Sequence, residues 1–212
     1  MHHYPQNGFE PDRQNRPPDR QTGGLARFIS VSSGHCLRLA RTGFMLFWLG
    51  CWQPLLAENL SEAQIKAAYL YNFAKFVEWP SDALPTNAEL LLCVVGSNVL
   101  DGALETLNGR NVGTHPLRVS SQSYANLSLT GCHLLFVGVS EQQRFLVILK
   151  TLGNAPTLSL SDIEDFAGKG GGIGLLVRDN KVLFEVNLEP IRNAGLHLPG
   201  QLLNIASDIY GR

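Results

Sequence analysis

The chain has 212 residues, 44% of them hydrophobic and 17% charged, with a net charge of −1. That composition belongs to a globular protein of one domain, or of one domain with an appendage. It excludes a coiled coil and a collagen-like fibre, and the lack of a basic surplus excludes a nucleic-acid binder. Residues 1–30 are rich in Pro, Gln, Asn, Arg and Gly without apolar periodicity, so they are expected to be disordered. Arg38 and Arg41 then precede an apolar run, Phe44 to Trp52, which is followed by Gln53-Pro54 and Leu55-Leu56-Ala57. A basic flank, an apolar stretch of about ten residues and a terminal small residue match a secretory signal. A membrane span needs roughly 20 apolar residues, and Gln53-Pro54 breaks this run. Cys51 lacks the preceding Leu and small residue of a lipoprotein signal. Residues 1–57 are therefore expected to be a disordered leader plus signal peptide, cut after about Ala57. Residues 58–212 are expected to be one exported domain. The leader holds six Arg, and the remaining 155 residues carry 11 basic against 15 acidic side chains, a mildly acidic body.

Ser61-Glu62-Ala63-Gln64 is a capping box, with Leu60 and Ile65 as a hydrophobic staple. Ile65, Tyr69, Phe73 and Phe76 recur at helical spacing, and Trp79-Pro80 stops the helix. A buried strand is expected at 89–96. Asn98 is expected to cap a second helix to about Leu107, ended by Asn108-Gly109. A weak strand near 116–120 and a polar loop lead to a strand at 132–138. Ser140-Glu141-Gln142-Gln143 is a second capping box, opening a helix that closes at Gly153-Asn154. A short strand at 156–160 meets a third box, Ser161-Asp162-Ile163-Glu164, opening a short helix to Ala167. The runs 173–177 and 182–186 flank Asp179-Asn180 as an antiparallel hairpin. Helical segments at 188–196 and 200–209 finish the chain. This order predicts an α/β fold: a mixed parallel and antiparallel sheet with helices on both faces, then a C-terminal hairpin followed by helices.

Export would remove Cys36 and Cys51 and leave Cys93 and Cys132, each in an apolar strand-like run. Two cysteines in an oxidising compartment pair, and neighbouring strands about 5 Å apart suit a disulfide. Two buried free thiols are the alternative. Closing a loop of about 39 residues is worth roughly 4 kcal/mol on the chain-entropy account.

No catalytic set emerges. Gly168-Lys169-Gly170-Gly171-Gly172-Ile173-Gly174 has its Lys ahead of the glycines and a strand behind them, unlike a phosphate-binding loop; it is taken as a flexible loop entering the hairpin. His115, His133 and His197 lack metal-ligand spacing, so no metal and no cofactor is expected. His133, in an apolar strand, suits a hydrogen-bonded core or edge position. Glu164 and Asp165 adjoin, but Glu164 belongs to the capping box. The first helix carries Tyr71, Asn72, Lys75 and Glu78 on its other side, a mixed face suited to a protein contact.

The string from Lys66 to Pro80, KAAYLYNFAKFVEWP, closely resembles the opening helix of the YfiR family. So do Cys93-Val94-Val95-Gly96, Cys132 to Gly138, Thr157 to Asp162 and Phe184-Glu185-Val186-Asn187, in the same order, and the likeness covers essentially all of 60–210. The resemblance implies a periplasmic, non-enzymatic negative regulator. It would bind the sensor domain of an inner-membrane diguanylate cyclase, hold it inactive and so lower cyclic di-GMP and biofilm output. It also implies a homodimer and a redox-responsive disulfide at Cys93 and Cys132. A second bridge of some members has no counterpart, because Ala167 and Gly174 stand at its positions. The competing expectation is a periplasmic small-molecule receptor. Tyr71 and Lys75, with Arg192 and His197 near the last helix, are the candidate partner or ligand contacts.

Overall fold

A computed structural model describes residues 60–212; the expected leader and signal peptide of 1–57 lie outside them. Helix α1 (Glu62–Phe76) starts where the sequence places it. The Ser61 hydroxyl accepts from the Gln64 amide at 3.2 Å, and the Gln64 side chain accepts from the Ser61 amide at 2.8 Å. The buried face differs from the expected stripe. Lys66, Ala67, Leu70, Phe73 and Ala74 face the core, whereas Phe76 is 45% exposed. The small residues Ala67 and Ala74 let the helix sit close to the sheet, and that seam sets its rotation.

The strands are β1 (Leu90–Val95), β2 (Asn111–Val112), β3 (His115–Gln122), β4 (Leu134–Val137), β5 (Leu158–Ser161), β6 (Ile173–Arg178), β7 (Lys181–Asn187) and β8 (Asp208–Tyr210). They form one mixed sheet in the order β2-β3-β1-β4-β5-β6-β7-β8. Strands β3, β1, β4, β5 and β6 run parallel, β7 returns antiparallel to β6, and β8 lies parallel to β7. The α/β class and the mixed sheet agree with the sequence expectation.

Side-chain alternation along the central strands builds two cores. Leu92 and Val94 of β1, with Leu134 and Phe136 of β4, point toward α1, where Phe73 meets Phe184 edge-on at 5.0 Å. Helices α3 (Leu188–Asn193) and α4 (Gly200–Leu203) add Ile191 and Leu202 to this core. Cys93, Val95, Leu135 and Val137 point the other way, toward α2 (Phe145–Leu152) and the segment after β5, through Phe145, Ile148, Ile163 and Phe166.

Several local expectations fail for tertiary reasons. The helix expected over 98–107 is two 3-10 turns, Val99–Gly102 and Glu105–Leu107. Asn98 has φ 46°, and its side-chain Nδ2 donates to the Asp101 carboxylate instead of the side chain capping. The second capping box does not cap: the Ser140 hydroxyl accepts from the Ser97 amide across the sheet end, and α2 begins at Phe145. The third box opens no helix, because the Ser161 hydroxyl donates to the Val137 carbonyl and accepts from the Ile163 amide. The helix expected over 200–209 ends at Leu203, and Asp208–Tyr210 pairs with β7 instead. The hairpin turns at Asp179 and Asn180, both with positive φ (51° and 58°), as a two-residue connection of this twist requires.

The glycine-rich run is packed, not a free loop. A Cβ on Gly171 would lie 2.1 Å from the Phe166 ring, a fully buried side chain. Gly171→Ala is therefore expected to cost about 1–3 kcal/mol by overpacking. Urea denaturation measures it, and an unchanged midpoint would refute this reason for the glycine.

Candidate functional site

Cys93, in the middle of β1, is bonded to Cys132 at the entry to β4, with Cα atoms 5.8 Å apart. Both cysteines are buried in the α2-side core. The bond joins the two central strands beyond their ladder, and its closed loop contains β2 and β3. At the positions of the missing second bridge, a Cβ on Gly174 would lie 3.7 Å from the Ala167 Cβ, within the spacing of disulfides.

His133, next to Cys132, is a satisfied structural histidine. Its Nδ1 accepts from the Leu91 amide at 3.0 Å, and its Nε2 faces the Ala83 carbonyl at 3.1 Å. Only the neutral ring protonated on Nε2 satisfies both. Trp79 donates its indole N–H to the His133 carbonyl and stands edge-on to the ring. The imidazole thus ties the 80–88 connection to the disulfide-bearing strands. Burial pushes its pKa below the ordinary value; the Ala83 contact opposes this, and His115 adds to it.

The four contact candidates from the sequence fall in separate places. The Tyr71 hydroxyl donates to the Asn111 carbonyl of β2 at 2.7 Å. Lys75 and Arg110 lie over the Tyr71 ring at 5.4 and 5.9 Å. Together they make a cationic, aromatic corner at the β2 edge. Arg192, on α3, donates to the Gly211 carbonyl beside β8, at the opposite edge. His197 pairs through its backbone with Glu78, just past α1, and its side chain is exposed.

The sequence reading missed a cleft of about 570 Å³. One wall is Asp162–Phe166, the other is β6 from Gly174 to Arg178, and Lys66 and Glu185 close it. Lys66, only 7% exposed, holds Glu62 at 2.7 Å and Asp162 at 2.9 Å. Burial works against its charge, yet the two carboxylates prevail and its pKa is raised. Glu185 is also raised, first by burial and then by Asp208 and Asp165, which outweigh Arg178. The signals were present in the chain: Glu62 and Lys66 at helical spacing, and the acidic run Asp162, Glu164, Asp165. The run matched a capping box, and its partner lies 96 residues away.

Among the described residues no cluster of three or more His, Cys, Asp or Glu side chains is arranged to hold a metal ion. Among them, too, no helix is long and apolar enough to cross a membrane. A family model described as YfiR/HmsC-like matches residues 63–207. One solved structure, the ABC domain in complex with L-Trp from Streptococcus pneumonia, is similar over 69% of this chain at 9% identity, with a TM-score of 0.47. The chain spans about 60% of the length of that structure.

Two measurements check this geometry. A histidine whose pKa is lowered on folding binds fewer protons than in the unfolded chain, so its stabilisation is complete above the unfolded value near 6.5 and is lost as pH falls toward the folded one. His133→Gln keeps an acceptor for Leu91 and a donor for Ala83. The wild type is expected to lose thermal stability below about pH 6.5 more steeply than this variant; parallel curves would contradict the assignment. The pair Ala167→Cys with Gly174→Cys is expected to close a second bridge and add about 2 kcal/mol, lost on reduction. Thiol titration and melting with and without reductant check this, and two free thiols at those positions in air would refute it.

Proposed function

The chain belongs to the YfiR/HmsC-like family, and on that premise we propose that it is an exported regulator that acts by binding, not by catalysis. Its partner is the periplasmic sensor domain of an inner-membrane diguanylate cyclase, which it holds in the inactive conformation. The observation that carries this reading is the family match over 63–207, nearly the whole of the described chain. The Cys93–Cys132 bond supports an oxidising compartment, where such bonds persist. A repressor of this kind shifts its partner by differential affinity for one conformation. It works as a homodimer, and its output responds to redox state through the stability of the fold.

Capture of the purified cyclase sensor domain by the full chain, with cyclic di-GMP measured in cells, tests the proposal. Binding and a rise in cyclic di-GMP on deletion are expected; no binding and no rise would sink it. Cys93→Ser is expected to cost up to about 4 kcal/mol and to relieve repression. Intact repression at normal protein level would remove the redox part of the proposal.

A further inference from the structure

The cleft exists because two neighbouring strands differ in length. β5 ends at Ser161, and its ladder to β6 has two pairs, Leu160–Ile173 and Ser161–Gly174. β6 continues to Arg178, held on its other side by the full ladder to β7. After Ser161 the chain leaves the sheet as Asp162–Phe166, and the place a longer β5 would occupy is the cleft. Among the described residues, no strand lies beside β6 on that side from Leu175 to Arg178.

The hairpin fixes which backbone groups point there. In a two-residue hairpin the closing pair, here Arg178 with Lys181, exchanges both of its hydrogen bonds. Val177, one position in, therefore directs its N–H and C=O away from β7 and toward the cleft. An open edge of this kind is a template for another strand.

The walls set the chemistry of that strand. The lining carries four carboxylates, Asp162, Glu164, Asp165 and Glu185, and two cations, Lys66 and Arg178. Lys66 is matched by Glu62 and Asp162, and the exposed Lys169 stands 3.4 Å from Asp165, yet Glu62, Asp162, Glu164, Asp165 and Glu185 still outnumber Lys66, Lys169 and Arg178, a carboxylate surplus that reaches Asp165 and Glu185. Leu176 is partly exposed and Val177 is 47% exposed, so the edge also offers apolar contact.

We propose that the cleft takes an extended basic segment of the partner protein, added as a strand on the free edge of β6 at Leu175–Arg178 with Lys or Arg side chains toward Asp165 and Glu185. The regulator reading supplies the premise that the partner is a protein. The backbone ladder gives the contact its strength, and the carboxylates choose the charge. Added salt weakens the choice, because both carboxylates stand near solvent.

The test uses the full chain and two capped, fluorescent peptides, one alternating Lys with Val and one alternating Glu with Val. The Lys peptide is expected to bind and the Glu peptide is not. Binding should slow hydrogen exchange at the Val177 amide, which a merely structural edge would not show. Asp165→Asn with Glu185→Gln is expected to weaken the Lys peptide about tenfold. Asn tolerates the left-handed backbone of Asp165 (φ 57°), so this pair keeps the fold. Val177→Pro removes an N–H that β7 does not use and is expected to abolish binding; if it fails to fold, the charge pair carries the test. No binding of the Lys peptide at millimolar concentration, equal binding of the Glu peptide, or affinity unchanged in the charge pair would overturn the proposal. The cyclase sensor domain separates the two readings. Capture by wild type and loss in the charge pair supports the cleft as the regulatory contact. Equal capture overturns the cleft and leaves the regulator standing. No capture by wild type sinks the regulator, and the peptides still decide the cleft.

Discussion

The fold depends on one constraint: β1 and β4 at the sheet centre must be buried on both faces at once. Leu92, Val94, Leu134 and Phe136 fill one side, while Cys93, Val95, Leu135 and Val137 fill the other. A strand with apolar side chains on both faces needs a cover on each, and the covers are α1 with the C-terminal helices on one side, α2 with the 162–171 segment on the other. The Cys93–Cys132 bond sits inside this constraint, in the layer under α2. It is a covalent addition to an interface that apolar burial already defines, so its contribution falls mainly on the unfolded chain.

That constraint was legible because it is written in continuous apolar runs. Leu90 to Val95 and Cys132 to Val137 have no polar alternation, which is the pattern of strands buried on both faces. The hairpin was legible because Asp179-Asn180 is a local turn signal. The capping boxes show where such reasoning ends. Ser61 caps α1 because nothing else competes for its exposed hydroxyl. Ser140 and Ser161 stand at the carboxyl ends of sheet strands, where the Ser97 amide and the Val137 carbonyl engage them first. The same residue types give a helix in one place and a strand-end contact in two, and only the neighbours decide.

The candidate site was less legible, for a related reason. Tyr71, Lys75, Arg192 and His197 were separate helix-face signals, and the sheet order sends the first pair and Arg192 to opposite edges. The cleft arises from a relation between elements: β5 stops after four residues and β6 does not. Its cation, Lys66, sits on the buried face of α1 and finds Asp162 from far along the chain. β8 has the same origin, since Asp208–Tyr210 becomes a strand because the β7 edge is open to it.

The disulfide and the cleft are linked through the sheet. Cys132 lies two residues before β4, Thr157 donates to the Cys132 carbonyl, β4 carries β5 by its ladder, and Ser161 at the end of β5 donates to the Val137 carbonyl. Ser161 is also where the cleft wall begins. Along this line the contacts are a strand ladder and two hydroxyl hydrogen bonds, which hold only while the sheet is folded. A redox signal at Cys93–Cys132 would therefore act on the cleft by changing how much of the chain is folded. Against a total stability of about 5–15 kcal/mol, a loss near 4 kcal/mol is large enough for that. On the proposed reading, a regulator built this way needs no bistable hinge, because its partner would be released when the binding edge unravels with the sheet that holds it.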